Sequence, residues 1–136
     1  MKTLETVKFK EQTHEQRFIE LTQEQRAVRT TLYKREQAVI YILSAMNSPE
    51  YKSFLHERGC FPQLDVAVEQ FEAGRLDERD VGLFCLAINL HNGQDVLSDF
   101  GLEGSATPYQ FLCLLKDDIS LMGEAMKIYR EGYPFY

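Results

Sequence analysis

The chain has 136 residues, 44% of them hydrophobic, and a net charge of −6. At 15.8 kDa it reads as one domain with enough apolar material to close a core without disulfides or a structural metal. No apolar run approaches the roughly 18–20 residues of a membrane span, and the polar Met1–Lys10 segment is unlike a secretory leader, so a cytoplasmic protein without a membrane partner is expected. Charge is unevenly placed: residues 1–47 carry eight basic and six acidic side chains, and residues 48–136 carry seven and fifteen. An acidic body repels a phosphate backbone, and the local basic cluster Arg26, Arg29, Lys34 and Arg35 is diluted by Glu20, Glu24 and Glu36, which argues against direct nucleic-acid binding.

The first element is announced by a 3-4 spacing through Leu4, Val7, Glu11, His14, Phe18, Leu21, Gln25, Val28, Leu32, Arg35, Val39, Ile42 and Met46. Residues 13–47 hold no Gly or Pro, and the spacing predicts one helix of about 50 Å over that range. Thr13 with Gln16 and Thr22 with Gln25 both offer a capping-box start, and Val7–Lys10 alternates like a strand, so residues 1–12 can also be read as an extended arm. Thr30-Thr31 is the weak point, where β-branched neighbours favour a break or bend. Ala38–Met46 is apolar nearly all round and belongs to the core, whereas the stripe before Thr30 is narrow and leaves a conditional docking surface. Phe18, Leu21, Arg26 and Arg29 are its candidate contact residues.

Residues 48–136 are expected to form an acidic helical body. Ser48-Pro49-Glu50 is a start signal and Gly59 a stop, predicting a short helix at about 49–58. A second helix runs from Phe61-Pro62 to Gly74. Asp77 with Asp80 opens a third, at about 78–91, which is apolar nearly all round, is halted at Asn92-Gly93 and is expected at the centre of the fold. Residues 94–106 are a loop with one helical turn at Val96–Phe100. Thr107-Pro108 opens the last helix, in which Leu112, Leu115, Ile119, Met122, Met126 and Tyr129 predict one continuous buried face up to Gly132. The tail that follows presents Tyr133, Phe135 and Tyr136, aromatic anchors suited either to a partner's groove or to strapping the last helix to its own body. Of three cysteines without a C-x-x-C pair, Cys85 and Cys113 are expected in the core and Cys60, near Gly59 and Pro62, at the surface.

Chemistry-bearing residues are sparse. His91 with Asp95 and Asp99 offers a metal ligand or general base with carboxylate partners, the basis for a small metal-dependent or nucleic-acid-acting enzyme. A histidine in the last turn of a helix is explained more simply by the carbonyls exposed there, and the same holds for His56. His14 sits at an inward position. Asp117 and Asp118 point about 100° apart and read as a solvated face. No phosphate loop, nucleophile motif or H-E-x-x-H pair is present, so no catalytic, metal or cofactor residues are assigned. A helix-turn-helix reading is opposed by the long loop before the last helix and by its acidic pair.

Within residues 73–133 the order Ala73-Gly74, Arg79-Asp80-Val81, Leu83–Ala87, Leu90-His91-Asn92-Gly93, Leu97–Leu102 and Phe111–Leu115 resembles an uncharacterised helical family of unknown function, carried on plasmids and integrative elements of proteobacteria. The family's aromatic and acidic run after the Asn-Gly stop is missing here. The resemblance implies a mobile-element accessory protein and supplies no catalytic residues.

The expected fold is all-α: a single-domain bundle of five to six helices with a long N-terminal helix. The expected function is a non-enzymatic protein-binding role, as a phage- or plasmid-borne inhibitor or regulator. The alternatives are a homodimer paired along the N-terminal helices, with Lys10 opposite Glu15 and Glu24 opposite Arg29, and the enzyme built on His91. If the 4–28 stripe packs on its own body, the aromatic tail becomes the better interface.

Overall fold

The computed structural model describes residues 7–28 and 31–132. These form six α-helices: α1 (Gln12–Val28), α2 (Lys34–Ser44), α3 (Leu64–Glu72), α4 (Glu78–Asn92), α5 (Pro108–Leu115) and α6 (Ser120–Glu131). Three 3₁₀ turns join them at Tyr51–Phe54, Leu97–Phe100 and Lys116–Ile119. Among the described residues there is no strand beyond a single bridge between Leu55 and Pro62, so the fold is all-α. None of these helices is long and apolar enough to cross a membrane.

The longest helix is the N-terminal one, but the single helix expected over 13–47 is two. Helix α1 ends at Val28, Thr31–Tyr33 is not helical, and Tyr33 is extended at φ −72 and ψ 157. Glu36 accepts the Tyr33 N–H at 2.9 Å and so caps the start of α2. Packing supplies the reason for the break. In one continuous helix Phe18 and Tyr41 would lie about 35 Å apart, whereas here their rings meet edge to face at 6.0 Å. Every residue from Glu36 to Ser44 is buried, which requires neighbours on all sides of α2. Helices α1, α4 and α6 provide them.

Helix α4, expected at the centre, is buried from Asp80 to Ile88 and packs against α2. Its ends follow the local chemistry: the Asp77 carboxylate accepts the Asp80 N–H at 2.7 Å, and Gly93 closes the helix in the left-handed conformation at φ 78. Gly82 lets α5 approach closely. A Cβ placed there would meet Leu114 Cβ at 2.9 Å. Asp80, 1% exposed, accepts the N–H groups of Asn47 and Ser48 and ties the end of α2 to the start of α4.

Four further expectations are corrected. The helix at 49–58 shortens to the turn Tyr51–Phe54, after which the chain doubles back: the His56 N–H donates to Phe61 O at 2.8 Å and the Cys60 N–H to His56 O at 3.2 Å. That turn carries Cys60 into the core at φ 54, so it is buried rather than exposed. The last helix is interrupted at Lys116, φ 52, where the 3₁₀ turn rotates the chain between α5 and α6. Its face is therefore discontinuous. Leu115 is buried, but Leu112, Met126 and Tyr129 are exposed, and so is Cys113.

Candidate functional site

The apolar stripe of α1 faces the chain's own body. Phe18, Leu21 and His14 are buried, and Gln25 donates from its side-chain amide to the carbonyls of His56 and Glu57. Phe18 and Leu21 are thus core residues of this fold. Arg26 is exposed, while Arg29, Tyr133, Phe135 and Tyr136 lie outside the described residues. Two of the charges expected to pair between copies have internal partners: Lys10 lies 3.8 Å from Asp118, and Glu24 shares Lys52 with Glu20. Asp118 also receives Arg79, so it belongs to an ion-pair cluster rather than a solvated face.

The histidine chemistry does not assemble. Asp95 accepts the N–H groups of Leu97 at 3.3 Å and Ala106 at 2.9 Å, which assigns its carboxylate to shaping the 94–106 loop. His91 is held below its ordinary pKa by partial burial and then by Arg35, with Glu36 acting in the opposite sense. Among the described residues no group of three or more His, Cys, Asp or Glu side chains is placed to hold a metal ion. His56 is not at a helix end. Its Nδ1 accepts the Arg58 and Gly59 N–H groups, and its ring stacks on Phe61 at 4.5 Å.

Besides a hollow of about 260 Å³ beside Arg79, Leu114 and Asp118, two surface hollows lie among the described residues. A polar cleft of about 640 Å³ lies between α1 and the 52–63 segment, lined by Glu24, Gln25, Lys52, His56 and Arg58 among others. Within it Lys52 is paired with Glu24, and His56 Nδ1 accepts backbone N–H groups. The second, of about 300 Å³, is apolar and lies between the end of α4 and α6, lined by Asn89, Leu90, Met126 and Tyr129. Met126 is 52% and Tyr129 42% exposed.

The origin of this groove is local. Leu121, Ala125 and Ile128 turn one face of α6 inward. Met126 and Tyr129, one position further round, then stand beside α4 with their apolar surface open. The neighbouring termini bring basic groups to the same end. Lys34 donates to Arg130 O at 3.4 Å, and Arg35 lies near His91. Lys34, Arg35 and Arg130 are exposed beside one exposed acid, Glu131, whereas nearby Glu36 is buried as the cap of α2. The acidic body hides this locally basic rim from composition. Sequence reasoning missed the groove because it placed Met126 and Tyr129 on a buried face.

The fold and its surface define an all-α bundle with an apolar groove between α4 and α6. Compared with protein-family models, curated proteins and solved structures, the chain matches none.

Proposed function

We propose that this is a protein-binding module that seats an apolar helical ridge of its partner in the groove formed by Leu90, Met126 and Tyr129. The observation that carries this reading is the exposure of Met126 and Tyr129 along the α6 wall of an apolar hollow at a basic corner of an acidic chain. Aromatic and methionine side chains of this kind dominate binding energy when a partner dries them. Lys34, Arg35 and Arg130 favour a ridge flanked by acidic side chains. The role that fits is an inhibitor or regulator of a host complex, of the anti-defence or anti-CRISPR type. Support comes from small size and the acidic body.

The full chain used as bait in a bacterial lysate is expected to retain one protein in stoichiometric amount. The double variant Met126→Asp, Tyr129→Asp is expected to lose it while keeping its helical circular dichroism. Recovery of no such protein, or equal recovery by the folded variant, overturns the proposal.

A further inference from the structure

We propose that residues 7–10 are a strap held shut by neutral His14 and released when that ring is protonated. The strap is fastened through both backbone and side chains. Phe9 packs its ring 5.1 Å from His14, 5.5 Å from Phe18 and 5.6 Å from Tyr41, and Val7 packs against the same core. Lys8 O accepts the Tyr41 hydroxyl, and the Lys8 N–H donates to Glu124 Oε1 of α6 at 2.8 Å. The Lys10 N–H donates to His14 Nδ1 at 2.9 Å, while His14 Nε2 lies 2.8 Å from Tyr41 O.

These two ring contacts leave one tautomer. A backbone N–H can only donate, so Nδ1 must be bare; a carbonyl can only accept, so Nε2 carries the hydrogen. Protonation adds a hydrogen at Nδ1, directly against the Lys10 N–H. The strap's contact with α1 then becomes a repulsion between two donors, and the ring gains a charge while 1% exposed.

The surrounding charges act in both directions. Lys10 of the strap and Arg17 of α1 oppose the proton, and Asp118 of the 3₁₀ turn favours it. Glu124 of α6 faces Tyr41 and holds Lys8. Burial is the largest influence and holds the ring down to about 4, so the strap stays closed near neutrality and opens in acid. Opening uncovers the aromatic surface of Phe18 and Tyr41.

The test is an NMR titration of the labelled full chain from neutral pH downward, following the His14 ring, the Lys10 amide and the Phe9 ring, with far-UV circular dichroism in parallel. The expected result is a shared midpoint for all three near 4, with helical signal retained. His14→Gln keeps one donor and one acceptor but cannot titrate, and its strap resonances are expected to stay put. Strap signals unmoved while His14 titrates, strap signals that move only with loss of helix, or an unchanged midpoint in His14→Gln each overturn the proposal.

Discussion

The carboxylate of Asp80 receives the N–H of Asn47 at 2.8 Å across 33 positions of sequence, and its other oxygen takes the N–H of Ser48 at 2.9 Å. One side chain at the start of α4 therefore finishes the end of α2. Burial raises the pKa of Asp80, and the two backbone donors pull it back. Asp80→Ala leaves two donors without this partner, at about 1–3 kcal/mol each when buried. A loss of about 2–6 kcal/mol in urea unfolding is expected. Asp80→Asn keeps one acceptor but turns an NH₂ toward the second donor, and should fall between the two.

His14 couples stability to pH. Its folded pKa lies near 4 and its ordinary value is 6.5, so the unfolded chain takes up a proton first as pH falls. Stability from the neutral buried ring is complete above 6.5 and is lost between 6.5 and 4, at about 1.4 kcal/mol per pH unit and about 3 kcal/mol in total. Urea midpoints measured across that window should fall more steeply for the natural chain than for His14→Gln. Parallel slopes would remove His14 from the account.

Gly82 sets the spacing of α4 and α5. Alanine is the better helix former by about 1 kcal/mol, yet its Cβ would sit 2.9 Å from Leu114 Cβ, close to backbone that cannot swing aside. Overpacking of this kind costs about 1–3 kcal/mol. Gly82→Ala is expected to lower the melting temperature, and adding Leu114→Ala, which keeps the clashing Cβ and opens a cavity, is expected not to restore it. A rise in melting temperature for the single variant would mean that α5 yields.

The cysteines differ in reactivity. Cys113 is exposed, whereas Cys60 and Cys85 are buried, and burial pushes the Cys85 thiol up to about 12. A thiol-reactive disulfide reagent should modify Cys113 rapidly in the native chain and reach Cys60 and Cys85 only on unfolding. Cys113→Ser should remove the fast phase. Fast labelling that persists in that variant would contradict the buried turn at Cys60.

The elements written in neighbouring residues were legible in advance. Asp77 before Asp80, Thr107 before Pro108 and Gly93 after Asn92 act within one helical turn, so their chemistry predicted the ends of α4 and the start of α5. The apolar run 38–46 likewise announced the buried α2. The groove was not legible, because exposure of Met126 and Tyr129 depends on the rotation introduced at Lys116.

By itself the sequence determined the helical class, the separation of charge and the local stops, since each rests on residue type and short spacing. The sequence also marked Thr30-Thr31 as the weak point of the long stripe, and residues 31–33 are indeed not helical; tertiary structure alone decided that Phe18 meets Tyr41, that Cys60 is inside and Cys113 outside, and that His14 holds a strap. The physical reason is range. A periodic stripe records that one face must be covered, but the covering partner is chosen by contacts between residues distant in sequence, and α2 could bury all its sides only by taking α1 as one of its neighbours.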